Sequence, residues 1–350
     1  MSASRLRVVM ATPLDEELCD LIVALEPRID LVWEPSLLPT RRFATDYRGD
    51  PAFSRTPVEQ QQYETLIDSA EVLYGIPDVN PAALQRTVVA NPRLRWVQTM
   101  AAGGGGQVKA AGLSLADLNR VLFTTSAGVH GRPLAEFALF GLLAGAKLLP
   151  ELIAQQRDHL WSERLQMRHL ADQTILVLGT GGIGRQIIRL LGVFGCHVIA
   201  TSRRVMVCDG ADEVVHPDSL AEVLPRVDGI VVTLPGTDAT KGLVDEAVFS
   251  ALKPGVTLVN VGRGSVVDEP ALIAALQNGQ LGYAALDVVA HEPLDSQSPL
   301  WNMPNVLISP HSAALAGNEP RLIAELFAAN AANLLDGHPL LNQVDTVEFY

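Results

Sequence analysis

The sequence predicts an α/β protein made of two doubly wound parallel-sheet units, and three observations carry this prediction. Short β-rich apolar runs alternate with segments of helical spacing over most of the chain. The alternation comes in two sets, separated by a long apolar helix over Leu134–Leu149 and a polar stretch around Trp161. The second set opens on Thr174-Ile-Leu-Val-Leu-Gly179-Thr-Gly181-Gly-Ile-Gly184, an apolar run that ends in closely spaced glycines and turns into a helical pattern.

In the first set, Arg7–Ala11 and Asp30–Trp33 are β-rich runs around a helix over Glu16–Leu25, with Leu18, Leu21, Ile22 and Leu25 on one face. From Pro35 to Gln62 the composition shifts to Arg, Pro, Asp, Gln and Ser, which predicts a long surface insertion, helical only near Val58–Ile67. Strands resume at Glu71–Gly75, Leu94–Met100 and Val121–Ser126, with a helix around Pro81–Val89. In the second set, Thr174–Leu178, His197–Thr201, Gly229–Leu234, Thr257–Val261, Ala284–Val289 and Val306–Ser309 make six strands, as a complete nucleotide fold needs. A last helix, Glu319–Leu335, lies beyond the final strand and is expected to return to the first unit. The expected division is residues 1–126 with 313–350, and residues 127–312.

Composition narrows the function. The 350 residues suffice for two domains, and 48% hydrophobic against 19% charged residues allows large cores. A net charge of -13 argues against nucleic acid or an acidic membrane surface as partner, since both reward basic surfaces. Cys19, Cys196 and Cys208 lack metal-ligand or CxxC spacing and read as buried or free thiols, so no metal site is expected. Arg5–Ala11 is too strand-like for a signal peptide, and no run of about 18 apolar residues exists, so a soluble cytoplasmic protein is expected.

The glycine turn suits a dinucleotide. Gly179 permits a tight turn, Gly181 lets the backbone approach a pyrophosphate, and Gly184 lets the helix pack close to the strand. Amides near Gly182 and Ile183 would face the phosphates at the positive end of the helix. Three polar groups follow later strands of this set, where parallel sheets bind ligands: Arg263, Glu292 and His311. Reducing a 2-keto acid needs a fixed cation for the carboxylate and a proton donor for the carbonyl oxygen. Arginine supplies a planar two-pronged clamp, and a histidine beside a carboxylate supplies a donor usable at neutral pH. Ala101-Ala-Gly-Gly-Gly-Gly106 is read first as a flexible loop and second as a set of amides that could meet an anion.

Nearly the whole chain resembles the D-isomer-specific 2-hydroxyacid dehydrogenase family. The resemblance is carried by Leu170–Thr174 before the glycine turn, Leu234-Pro-Gly-Thr-Asp-Ala-Thr240, Leu252-Lys-Pro-Gly-Val-Thr-Leu-Val-Asn-Val-Gly-Arg-Gly264, Ala285-Leu-Asp287 through Glu292-Pro-Leu294, and Pro310-His311. It implies a flavodoxin-like substrate domain and a Rossmann domain, with the reaction in a cleft between them. It further implies that Arg263 holds the substrate carboxylate, that His311 is the acid or base tuned by Glu292, and that Asp287 helps to seat the nicotinamide. Ala102 and Gly103 match the positions that offer amides to substrate, and Leu234, Pro235, Val261 and Gly262 fall in the cofactor-lining motifs. The implied substrate is a small 2-keto acid or D-2-hydroxy acid of the glyoxylate or hydroxypyruvate kind, and a homodimer is expected. His130, just before the apolar helix, is expected to be structural, with a place lining the cleft as the alternative.

Where many members of the family carry an aspartate that accepts from the adenine ribose, this chain has Ser202, followed by Arg203 and Arg204. Two arginines can pair with a 2'-phosphate, so NADP(H) is the expected cofactor, with NAD(H) possible. Two rivals stand beside this reading. Formate dehydrogenases share the fold but carry glutamine where this chain has Glu292. A dinucleotide-sensing corepressor-like protein is compatible with the same residues.

Overall fold

The computed structural model describes residues 5–203 and 207–349. Two compact units emerge, one running up to His130 and resuming at Leu315, the other spanning Gly131–Ala314.

The first unit holds strands β1 (Leu6–Met10), β2 (Ile29–Val32), β3 (Val72–Tyr74), β4 (Trp96–Gln98) and β5 (Leu122–Thr124) in the order β2-β1-β3-β4-β5. All four pairings are parallel, which is the flavodoxin-like order. Helices Glu16–Leu25, Pro57–Ile67 and Pro81–Ala90 cross between strands. The second of these starts on a reciprocal cap, Thr56 accepting from the Glu59 amide while the Glu59 side chain accepts from Thr56. The C-terminal helix Glu319–Asp336 packs against Glu16–Leu25. Its buried Phe327 stacks on Trp96 at 4.7 Å and meets the edge of Tyr74 at 5.1 Å.

The stretch expected as a surface insertion is anchored instead. Leu37, Leu38 and Asp46 are buried, and Asp46 accepts from Arg42 and from the Gly49 amide. Arg55 lies over the Tyr63 ring at 3.6 Å while donating to Asp78 and to the Leu37 carbonyl. A polar composition hid these tethers, because each arginine neutralises a carboxylate that periodicity cannot see.

The second unit holds β6 (Thr174–Leu178), β7 (His197–Thr201), β8 (Glu213–Val215), β9 (Gly229–Val232), β10 (Val256–Asn260), β11 (Leu281–Leu286) and β12 (Val306–Ile308). Their order is β12-β11-β10-β9-β6-β7-β8, parallel throughout. Among the described residues the sheet therefore has seven strands rather than six. The extra strand β8 is three residues of intermediate burial pairing with β7, too short to register as a period. Central strands such as β10 are buried along their whole length, as expected with helices on both faces.

The apolar helix before this sheet spans Gly131–Ala146, equal in length to the expected Leu134–Leu149 but starting earlier. Lys147 and Leu148 break it, Leu148 at φ 54°, and a second helix, Leu149–Arg157, departs at 66°. Gly145 explains its closeness to the sheet, since a Cβ there would fall 2.2 Å from Thr257 Oγ1. No single helix among the described residues is long and apolar enough to cross a membrane.

Candidate active site

The site in the second unit begins at the β6 turn. Gly179 has φ 109°, a left-handed value that favours glycine, and its amide donates to Thr201 Oγ1 at 3.1 Å. The helix Gly182–Phe194 starts so close to the turn that a Cβ on Gly184 would lie 1.9 Å from the Gly179 carbonyl oxygen. Gly181 is the opposite case, because a Cβ there would meet nothing within 4 Å. Two glycines are thus consumed by packing, and one leaves an open cradle over the first turn of a helix. That shape fits a pyrophosphate, with the amides of Gly182 and Ile183 at the positive helix end.

Along the same edge, Ser202 follows β7 and donates its amide to the Val215 carbonyl of β8. Arg203 is exposed, and Arg204 lies outside the described residues. Leu234 and Pro235 follow β9, and Val261 and Gly262 follow β10. Gly262 is pressed so closely on Leu234 that a Cβ would meet its carbonyl oxygen at 2.6 Å.

Arg263, Glu292 and His311 stand beyond the C-terminal ends of the adjacent strands β10, β11 and β12. Arg263 is exposed, and its Nη1 donates to the Gly262 carbonyl at 2.7 Å. No ion pair involves it among the described residues, which leaves its charge for an incoming anion. Asn260 shapes this turn, accepting from the Gly262 amide at 3.1 Å and donating to the Arg263 carbonyl at 3.2 Å. His311 Nδ1 lies 2.7 Å from Glu292 Oε2, with both side chains between a third and a half exposed. With Glu292 as acceptor the Nδ1 proton is held, so Nε2 is the ring atom presented outward.

His311 itself sits at φ 55°, an uncommon conformation for a residue with a side chain. Its amide is held by the Asp287 and Ser309 carbonyls at 3.0 and 2.9 Å. Buried Asp287 then ties the turn from within. Its Oδ1 accepts from Ser309 Oγ at 2.7 Å and from the Ser312 and Ala313 amides at 2.9 Å each. Of the carboxylate expected to help seat the nicotinamide, Oδ1 is committed to the His311 turn, and Oδ2 has no partner among the described residues. The supporting roles of Asn260, Thr201 and Ser309 were not read from the sequence. Their signal is a polar side chain at the last residue of, or next to, an apolar parallel strand.

In the first unit, Ala102 and Gly103 lie in a turn after β4 that runs into a short helix, Gly105–Ala110. The four glycines are therefore an ordered turn and helix start. His130 is buried, its Nε2 3.2 Å from Glu319 Oε1, which also accepts from the Tyr47 phenol at 3.3 Å. Burial, reinforced by Tyr74 and Glu319, pushes that phenol well above the usual range.

The sequence profile of the D-isomer specific 2-hydroxyacid dehydrogenase NAD binding domain matches residues 139–313. Glyoxylate/hydroxypyruvate reductase A of Serratia proteamaculans is 33% identical over 215 residues, 61% of this chain and 68% of that one. D-3-phosphoglycerate dehydrogenase of Mycobacterium leprae is 31% identical over 255 residues, 71% of this chain but 47% of the longer relative. A D-isomer specific 2-hydroxyacid dehydrogenase from Xanthobacter autotrophicus Py2, solved with NADPH and MES, superposes with a TM-score of 0.78 at 29% identity, covering 99% of this chain and 100% of that one. Sequence, topology and the His–Glu pair converge on one assignment: the chain belongs to the D-isomer specific 2-hydroxyacid dehydrogenase family and is an NAD(P)-dependent oxidoreductase.

Proposed function

We propose that this enzyme reduces a small 2-keto acid of the glyoxylate or hydroxypyruvate kind, with NADP(H) as preferred cofactor. The observation that carries the reading is the His311–Glu292 pair at 2.7 Å, on a strand end next but one to Arg263. When bound, the dinucleotide supplies the hydride. Arg263 clamps the substrate carboxylate with two parallel hydrogen bonds and polarises the neighbouring carbonyl. His311 donates a proton from Nε2 to the carbonyl oxygen, while Glu292 holds Nδ1 and balances the imidazolium charge. The amides of Ala102 and Gly103 add donors to the substrate. Asp287 presents Oδ2 toward the nicotinamide, and Leu234, Pro235, Val261 and Gly262 line the cofactor. Ser202 and Arg203, with Arg204, accept a 2'-phosphate where an aspartate would repel it.

A homodimer is part of the proposal. Trp161 is fully exposed, and Ile153 and Leu160 are more than half exposed on the same stretch of the second unit, apolar side chains that a partner subunit would cover. The test is oxidation of NADPH and NADH in parallel across a panel of 2-keto acids. Turnover of glyoxylate or hydroxypyruvate, faster with NADPH, is expected. Tight nucleotide binding without turnover of any keto acid would overturn the enzymatic reading in favour of a sensor.

A further inference from the structure

A chain of buried polar side chains runs beneath the Ala102–Gly103 turn, entirely within the first unit. Trp96 Nε1 donates to Thr124 Oγ1 at 2.7 Å, and Thr124 Oγ1 donates to Gln98 Oε1 at 2.7 Å. Gln98 Nε2 donates to Ser126 Oγ at 3.2 Å and to the Thr99 carbonyl at 3.0 Å. Ser126 Oγ donates to that same carbonyl at 3.0 Å, and Thr99 Oγ1 donates to the Ala101 carbonyl at 3.4 Å. None of these five side chains reaches solvent. Each hydroxyl passes its proton in one direction, so the amide orientation of Gln98 is dictated by its neighbours.

The linked bonds close on the Thr99 carbonyl, and the Thr99 hydroxyl carries the support on to the Ala101 carbonyl, which also accepts from the Ser126 and Gly104 amides at 3.3 and 3.2 Å. In a planar trans peptide the N–H points opposite to the C=O. Drawing the Ala101 oxygen inward therefore turns the Ala102 amide outward. Among the described residues the Ala102 and Gly103 amides have no protein acceptor. Gly104 completes the device, since a Cβ there would fall 1.8 Å from Thr99 Oγ1 and push the turn off its anchor.

We propose that the Trp96–Thr124–Gln98–Ser126–Thr99 relay aims the Ala102 amide at the substrate, with Gln98 as its central positioning residue. Apolar side chains would fill this interior at less cost than five polar ones, which must all be satisfied at once. The relay makes sense as the support of a backbone donor that has to hold one direction. It rests on the reading that Ala102 and Gly103 meet the substrate.

The test compares Gln98→Met, which keeps the length and removes the hydrogen bonds, with Thr99→Val, which removes only the last link. Both are expected to raise KM for the keto acid about tenfold, with kcat at saturation and NADPH affinity within about twofold. Hydrogen exchange of a peptide spanning 99–106 should accelerate, while a peptide over 174–190 stays unchanged. Unchanged KM and exchange in a folded variant would overturn the proposal, as would a kcat loss accompanied by weaker NADPH binding. Thr99→Val decides the matter if Gln98→Met does not fold. If the wild type turns over no 2-keto acid, the functional reading fails and exchange alone judges the relay: acceleration supports it, and its absence refutes it.

Discussion

Replacing Asp287 by alanine should disable catalysis without touching a group that holds the substrate. Its Oδ1 accepts one hydroxyl and two backbone amides, and the turn so held carries His311 at φ 55°. Hydrogen bonds to a charged acceptor contribute about 1.5–3 kcal/mol each. Water reaching this part-buried turn returns some of that, so a net loss of about 3 kcal/mol follows from the three bonds. The left-handed conformation of His311, costing about 1–2 kcal/mol, then loses its compensation. Spent on displacing the turn, about 3 kcal/mol corresponds to roughly a hundredfold fall in kcat. Asp287→Asn, which retains an acceptor at Oδ1, should lose only about tenfold. Steady-state reduction of the best keto acid, with NADPH affinity measured separately, checks both. Asp287→Ala activity within about threefold of wild type, at unchanged cofactor affinity, would refute the reasoning.

Four further outcomes are expected. Gly184→Ala should leave little folded protein, because its methyl meets the Gly179 carbonyl at 1.9 Å. Gly181→Ala, with open space and an ordinary φ of -71°, should melt within a few degrees of wild type and still bind NADPH more weakly, as thermal unfolding and nucleotide titration would reveal. Ser202→Asp should move the ratio of kcat/KM toward NADH by about tenfold or more, through charge repulsion of the 2'-phosphate; an unchanged ratio would remove Ser202 from cofactor choice. Hydrogen bonds from the Arg42 side chain, helped by the Arg42 and Gly49 amides and opposed by burial, hold the Asp46 carboxyl below its ordinary 3.8. A value lower in the folded state adds stability that is fully present above the unfolded value and vanishes as pH falls through the folded one. Asp46→Asn should therefore flatten the loss of stability below about pH 4, followed by urea unfolding at stepped pH.

Much of the candidate site was legible because its residues sit in short contiguous motifs. Gly179–Gly184, Arg263 and His311 each follow a strand whose apolar run is plain in the sequence. What escaped depends on distance along the chain. The Asp287 carboxylate meets Ser309–Ala313 more than twenty residues away, and Gln98 meets Thr124 and Ser126 across two strands. Neither separation leaves a periodic trace. The tethers of the Pro35–Gln62 stretch escaped for another reason: an arginine–carboxylate pair with one buried partner, as in Arg55–Asp78 and Arg42–Asp46, looks, in composition, like solvated surface. Strand β8 escaped through brevity alone.

The C-terminal helix gives the molecule an order of assembly. Phe327 covers Trp96 and Tyr74, and Arg28 pairs with Asp336 at 2.5 Å, so strands made before the second unit are sealed by a segment made after it. The second unit, contiguous from Gly131 to Ala314, leaves the ribosome whole and can close while the first still waits. During translation the nascent chain therefore carries a finished nucleotide fold beside an open aromatic core. Chaperone demand should peak in that interval and end with the arrival of Phe327.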